Sequence, residues 1–147
     1  MRLQFGTPRS GLIYQNRRTA FGLTLKAGKL ACVRVDRGAD SYYDLPGGAL
    51  DGAETEAQAL VREFVEETGM TVRAGRRLGE AGQYFLKSDG RAVNNLAGFW
   101  TADVVVENPS AKIEDDHLLC WLEPSRALVE LRHDAHAWAV ALLLRRG

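Results

Sequence analysis

The sequence predicts a protein of the α/β class, in which helices cover a mixed β-sheet. Strand-like segments stand both before and after one strongly patterned helix, and two further helical segments follow them. The chain has 147 residues, of which 46% are hydrophobic, so it can form one domain with a sizeable core but not two ordinary domains. We therefore expect residues 1–147 to form a single domain.

A β-hairpin is predicted in the first part of the chain. Extended segments are expected at residues 20–25, 29–35 and 43–45. The first two are separated by Ala27 and Gly28, a pair that suits a tight hairpin turn. Residues 37–42 are polar and are expected to form a loop rather than a strand.

An amphipathic helix is predicted from about residue 55 to residue 69. Thr55 is a suitable N-cap, Gln58 three residues later completes a capping box, and Gly69 suits the C-cap. The apolar positions recur at helical spacing and are expected to face the core, with the carboxylates on another face. These positions are Ala57, Leu60, Val61, Phe64 and Thr68.

The second half of the chain returns to strand-like composition. Residues enriched in strand-forming side chains are 71–76, 80–87, 92–106 and 117–122. Residues 88–90 (Ser-Asp-Gly) suit a turn, and residues 107–116 suit a polar loop. Pro124 is expected to open a short helix, and Asp134 to cap a final one.

Three glutamates stand at the end of the predicted helix that least favours them. Glu63, Glu66 and Glu67 are spaced i, i+3 and i+4, so their side chains share one face. The helix C-terminus carries partial negative charge, and like charges at this spacing cost about 0.2–0.5 kcal/mol for each pair. A divalent metal ion is the simplest cation that would offset both effects.

These glutamates belong to a longer motif. Gly48, Glu54 and residues 62–70 (Arg-Glu-Phe-Val-Glu-Glu-Thr-Gly-Met) carry the required Gly, Glu and Arg at the spacing of the Nudix box, so the chain resembles the Nudix hydrolases. The resemblance implies an α/β/α sandwich around a central mixed sheet. It also implies hydrolysis of a nucleoside diphosphate linked to another group, by attack of water at phosphorus with Mg²⁺ or Mn²⁺ as cofactor.

The resemblance also implies roles for individual residues. The metal ligands would be the three glutamates and the backbone carbonyl of the preceding loop: Glu63, Glu66, Glu67 and Gly47. Glu66 or Glu63 would accept the proton of the attacking water. Arg62 would hold a carboxylate by a salt bridge, and Glu54 would tie the loop to the helix, so the catalytic set is Glu66, Glu63, Arg62 and Glu54.

Other candidates lie outside the motif. The loop residues Glu114, Asp115 and Asp116 would supply an extra metal ligand or base, or else only keep the loop soluble. Cationic partners for a diphosphate are sought among Arg17, Arg18, Arg34 and Arg37. Aromatic residues that could stack on a base, or only fill the core, are Tyr42, Tyr43, Phe85, Phe99 and Trp100. From these sets we select Arg34, Arg37 and Tyr43 as substrate-binding residues.

Two histidines and both cysteines are interpreted as structural residues without a catalytic or metal-binding role. His133 and His136 stand three residues apart at the start of the last helix, and with no third ligand nearby we expect them on the surface. Cys32 and Cys120 are far apart in sequence and lie in apolar segments, so we expect two buried, reduced thiols.

Composition and the absence of targeting signals bear on partners. Nineteen acidic and nineteen basic residues balance, which makes a nucleic-acid partner unlikely. Neither a signal peptide nor a membrane span is visible, so we expect a cytoplasmic protein that acts on a small nucleotide, as a monomer or a homodimer. Two alternatives stay open: a nucleotide sensor on this fold that lacks catalysis, and an enzyme that removes pyrophosphate from RNA 5′ ends.

Overall fold

Residues 2–146, which the computed structural model describes, form nine strands and three helices. The strands are β1 (Leu3–Phe5), β2 (Gln15–Leu23), β3 (Leu25–Lys26), β4 (Lys29–Arg37), β5 (Asp40–Asp44), β6 (Gly47–Ala49), β7 (Met70–Leu86), β8 (Ala92–Glu107) and β9 (His117–Leu122). The helices are α1 (Glu56–Thr68), α2 (Pro124–Glu130) and α3 (Asp134–Arg146). A short 3₁₀ turn, Pro109–Ala111, lies between β8 and β9. No described helix combines the length and the apolar character needed to cross a membrane.

A five-stranded mixed sheet forms the centre of the fold. Its strand order is β1-β7-β8-β2-β6, with β2 parallel to β8, β1 parallel to β7, and the other pairs antiparallel. A smaller antiparallel sheet combines β3, β4 and β5, and β9 pairs with β4 on its free side. The predicted α/β class and the mixed sheet are confirmed.

Helices cover the main sheet on both faces, because neighbouring residues of a strand point to opposite sides. Ala20 packs with Leu60 and Phe64 of α1, whereas Phe21 packs with Ala135 and other residues of α3. Both clusters are nearly free of solvent contact. The α/β/α sandwich follows from this alternation.

Several strand boundaries differ from those expected. The turn at Ala27 and Gly28 is confirmed, with φ of 51° and 78°, both in the left-handed region that two-residue hairpin turns require. The loop expected over residues 37–42 is wrong in its second part, because Asp40–Asp44 pairs with β4. The three-residue strands β1 and β6 were not predicted, since so few residues show no periodicity.

Helix α1 has the predicted caps and one unpredicted buried carboxylate. The Thr55 side chain accepts from the Gln58 backbone N–H, and the Gln58 side chain accepts from the Thr55 N–H. Gly69 takes φ of 78° and donates its N–H to Val65. Contrary to the expected division of faces, Glu67 is only 6% exposed, because β6 and β9 close over that side of the helix C-terminus.

The prediction that His133 and His136 lie on the surface is wrong. They are 5% and 2% exposed, because the first turn of α3 enters the core between aromatic rings. His136 lies 4.3 Å from the Phe21 ring, centre to centre, and its Nδ1 accepts from the Leu45 N–H at 3.2 Å. Burial lowers the pKa of His133 to about 3 and that of His136 well below its usual value.

These histidines should make the fold sensitive to acid. Unfolded histidine takes up a proton below about pH 6.5, whereas the buried rings stay neutral. Stability is therefore complete above that pH and falls as the pH drops, by about 1.4 kcal/mol per pH unit for each histidine at most. The free energy of unfolding, measured by urea titration, should therefore fall between pH 7 and pH 5 in the wild-type protein. It should fall less in the His133→Gln variant. Equal losses in the two proteins would contradict this origin.

The two cysteines face each other across neighbouring strands. Cys32 of β4 is the register partner of Cys120 of β9. Both thiols are free, Cys32 is buried and Cys120 is half-buried, so the expected burial holds fully for Cys32 alone. Burial raises the pKa of Cys32 to about 12, which keeps its thiol protonated and unreactive.

Candidate active site

A cavity of about 350 Å³ opens between α1, the glycine loop of β6, and the ends of β4 and β7. Its lining includes four carboxylates, those of Glu63, Glu67, Glu114 and Asp44, together with cationic and aromatic side chains. The cavity therefore presents both signs of charge. Glu66 stands beside this lining rather than in it, with its side chain directed to Arg62.

Arg62 holds the carboxylates of the helix in place. Its guanidinium donates to both oxygens of Glu54, at 2.8 and 2.9 Å. It also donates to Glu63 at 3.0 Å, to Glu66 at 3.2 Å, and to the Ala49 carbonyl at 3.0 Å. These bonds raise the pKa of Arg62, and the paired guanidinium lowers the pKa of Glu54. The sequence-based roles of Arg62 and Glu54 match these positions.

Among residues 2–146, no arginine pairs with Glu67. Its Oε1 accepts the Gly47 N–H at 3.0 Å, and its Oε2 lies 3.5 Å from Nε2 of His117. Burial, followed by the charge of Glu63, raises the pKa of Glu67 well above the usual value. Burial also raises the pKa of Glu63 to about 7, with Glu66 and Glu114 adding to the effect. The carboxylates repel one another in a partly dry site.

The glycine loop approaches both β2 and α1 too closely for larger residues. Gly47 has φ of 146°, and a Cβ atom there would collide with the Ala20 carbonyl oxygen of β2. A Cβ atom on Gly48 would lie 2.8 Å from Cδ of Glu63. Gly47 therefore allows β6 to pair closely with β2, and Gly48 allows it to lie against the Glu63 carboxylate of α1.

The acidic loop before β9 contributes to the same site. Ligand atoms of Glu114, Asp116 and His117 lie within 4.8 Å of one another, an arrangement that could hold a metal ion. Asp116 lies 2.8 Å from Nδ1 of His117 and 2.8 Å from Nε of Arg37. The loop is anchored on α1, since the Glu66 carbonyl accepts the Glu114 N–H at 2.9 Å. Asp115 is exposed and does not line the cavity.

Two of the three selected substrate-binding residues lie outside the cavity. Arg34 donates to Ser41 at 2.8 Å, and Tyr43 packs against the core. Side chains alternate along β4 and β5, so Arg37 and Tyr42 reach the cavity whereas their neighbours of opposite parity do not. Of the three, the structure therefore places only Arg37 in this cavity, and its binding of substrate stays a prediction.

Other lining residues were not selected from the sequence. His117, Lys87 and Arg132 come from three distant parts of the chain, and only the folded chain brings them together. The pairing of Asp116 with a neighbouring histidine is a local signal that could have marked His117. Arg132 stacks on the Tyr42 ring with its Cζ 3.6 Å from the ring centre, which nothing local indicates.

The residues present fit a divalent metal ion. Glu67 is a buried carboxylate whose charge is opposed by Glu63 and is not matched by an arginine or lysine within 4.0 Å among residues 2–146. Buried charges require compensation, and carboxylate oxygens are the ligands that Mg²⁺ prefers. A bound cation would offset both the burial and the mutual repulsion that raise the pKa values of the two glutamates.

Sequence comparison gives a family match. The family model described as NUDIX domain matches residues 15–144. A curated relative, the 8-oxo-(d)GTP phosphatase of Mycolicibacterium smegmatis, is 36% identical over 91 residues, which cover 62% of this chain. The chain spans 26% of the length of that relative.

Solved structures share the fold. A NUDIX hydrolase from Nitrosomonas europaea superposes with a TM-score of 0.76 at 20% identity, over 90% of both chains. A MutT protein from Methanosarcina mazei gives 0.70 at 20% identity, over 92% of this chain and 98% of that one. An ADP-ribose pyrophosphatase from Streptococcus suis gives 0.65 at 18% identity, over 88% of this chain and 90% of that one.

Proposed function

Because the chain belongs to the NUDIX domain family, we propose that it is a metal-dependent hydrolase of a nucleoside diphosphate linked to another group. It cleaves the diphosphate linkage by attack of water at phosphorus. The observation that carries this proposal is the carboxylate set of α1, in which buried Glu67 lies beside Glu63 with no arginine or lysine within 4.0 Å among residues 2–146. A purely structural helix would gain stability by losing such a charge.

The proposed metal ligands are Glu63, Glu66, Glu67 and the Gly47 carbonyl, with Glu114 as a further candidate from the acidic loop. When bound, Mg²⁺ or Mn²⁺ neutralises phosphate charge and makes water a stronger nucleophile near neutral pH. We assign no preference between the two ions.

The side chains of the protein then position and deprotonate water. Glu66 or Glu63 accepts the proton of the attacking water. Arg62 keeps both carboxylates oriented through bonds of 3.2 and 3.0 Å, which limits their motion before the reaction. Arg37, held by Asp116 at 2.8 Å, lines the cavity and contacts a substrate phosphate.

A substrate panel read by product identity tests this function. The panel contains 8-oxo-dGTP, dGTP, ADP-ribose and an RNA with a 5′-triphosphate end, each with Mg²⁺, and the products are identified by mass spectrometry in ¹⁸O-labelled water. We expect a nucleoside monophosphate from at least one small nucleotide, with one labelled oxygen on a phosphorus atom of either product.

Three outcomes separate the candidate functions. Label on phosphorus from a small nucleotide supports the proposed reaction. Release of pyrophosphate from RNA alone would favour the RNA 5′-end enzyme. Tight nucleotide binding with no product at all would favour the sensor and would reject hydrolysis.

A further inference from the structure

The cavity that holds the glutamates also has a cationic lining. Four cationic side chains belong to it: Arg17, Arg37, Lys87 and Arg132. Two of them are neutralised within the protein, because Arg37 lies 2.8 Å from Asp116 and Arg132 lies 2.8 Å from Asp44. Only the remaining two carry charge that the cavity itself does not balance.

Arg17 and Lys87 are these two residues. Within residues 2–146, no carboxylate oxygen lies within 4.0 Å of the charged nitrogens of either side chain. Nε of Arg17 donates to Oδ1 of Asn95 at 3.0 Å, and this bond fixes the plane of the guanidinium. The two terminal nitrogens of Arg17 are thereby left for another acceptor, and a phosphate matches their spacing.

Burial disfavours the charged forms of Arg17 and Lys87. Burial lowers the pKa of Arg17, with Arg91 adding to the effect, and Glu63 acts in the opposite direction. Burial also lowers the pKa of Lys87, followed by the charge of Arg17. Two unmatched cations in one partly buried cavity repel each other, so an anion between them would be stabilised.

The strand register orders the two residues along the cavity. Arg17 precedes Ala20 on β2, and Ala20 is the register partner of Gly48, which lies against Glu63. Arg17 itself stands opposite Asn95 in the parallel pairing of β2 with β8. Lys87 follows the last residue of β7, at the turn that leads into β8, and so lies farther along these strands from Gly48 than Arg17 does. The two side chains thus extend the cationic lining away from the proposed reaction site.

We propose that Arg17 and Lys87 form a subsite for a phosphate group beyond the diphosphate that reacts at the glutamates. The inference rests on the proposed function and narrows it to nucleotides with at least three consecutive phosphates. A terminal phosphate carries about 1.5–2 negative charges near pH 7, which matches two cations. The neutral sugar of a nucleoside diphosphate sugar offers hydroxyl groups and no such charge.

Binding of inorganic polyphosphates tests the subsite without catalysis. In excess EDTA, titration calorimetry should give at least about tenfold tighter binding of tripolyphosphate than of pyrophosphate to the wild-type protein. Arg17→Gln and Lys87→Gln should each weaken tripolyphosphate binding by about tenfold. Arg126→Gln is the matched control, since that exposed arginine on α2 lies 3.8 Å from Glu130 and does not line the cavity, and its binding should stay within twofold.

Kinetics with Mg²⁺ provide the second measurement. Arg17→Gln and Lys87→Gln should raise KM for a nucleoside triphosphate by about ten- to a hundredfold, and should change KM for ADP-ribose less than threefold. Melting temperatures within a few degrees of wild type would show that the variants fold, and Arg17→Lys, which keeps the charge, should recover part of the loss.

The outcomes distinguish the subsite from the proposed function. Tripolyphosphate binding that depends on both residues, in a protein that hydrolyses no nucleotide, would retain the subsite and reject the function. Equal tripolyphosphate binding by wild type and both variants would overturn the subsite, even if hydrolysis occurs. An equal rise in KM for the triphosphate and for ADP-ribose would also overturn it, because the two residues would then not select for phosphate number.

Discussion

Replacing Glu67 by glutamine should lower kcat by at least about a hundredfold while leaving the melting temperature unchanged or higher. Metal-assisted charge stabilisation contributes several kcal/mol to a transition state, and about 1.4 kcal/mol corresponds to a factor of ten. Glutamine keeps an oxygen for the Gly47 N–H but removes the charge. Because Glu67 is 6% exposed and is repelled by Glu63, removing its charge should stabilise the fold of the metal-free protein.

Steady-state kinetics and thermal unfolding of the same preparation measure both effects. Glu130→Gln is the matched control, since that carboxylate is exposed on α2 and lies 3.8 Å from Arg126. Its kcat should stay within twofold of wild type. A Glu67→Gln protein that keeps more than a tenth of the wild-type kcat would show that Glu67 is only a structural residue.

Removal of divalent metal should abolish turnover, and Mg²⁺ or Mn²⁺ should restore it. The same ions should stabilise the fold, because an ion that binds only the folded protein adds about 2.7 kcal/mol at a concentration of one hundred times Kd. The physical reason is the repulsion among the buried carboxylates, which a cation would replace by attraction. Product formation in EDTA, and thermal unfolding with and without each ion, are the two measurements.

Variants link the two measurements to one site. Glu67→Gln and Glu63→Gln should reduce the shift in melting temperature that the metal produces, whereas Glu130→Gln should preserve it. Undiminished turnover in excess EDTA would reject the metal assignment. A metal-induced shift that is the same in all three variants would place the ion elsewhere in the protein.

Features that depend on a few consecutive residues could be predicted from the sequence. The caps at Thr55 and Gly69 are local, since each is defined by hydrogen bonds within one turn of the helix. The spacing of Glu63, Glu66 and Glu67 fixes their shared direction whatever surrounds the helix. The bounds of α1 and the shared direction of its carboxylates could therefore be predicted from the sequence alone.

Features that depend on strand parity and distant packing could not be predicted. Tyr43 and Arg34 differ from the cavity-lining Tyr42 and Arg37 in which face of the sheet they occupy, and only the observed pairing decides that face. The burial of His133 likewise depends on how α3 meets the core. Sequence spacing carries no information about either contact.

The parallel pairing of β2 with β8 joins two strands that are distant in sequence, with α1 between them. Contacts between distant segments carry a large loop-closure entropy and form slowly. The cavity beside the glutamates has its walls only when β8 has paired with β2 and β9 with β4. Capture of a metal ion by the glutamates would therefore report that both sheets are complete.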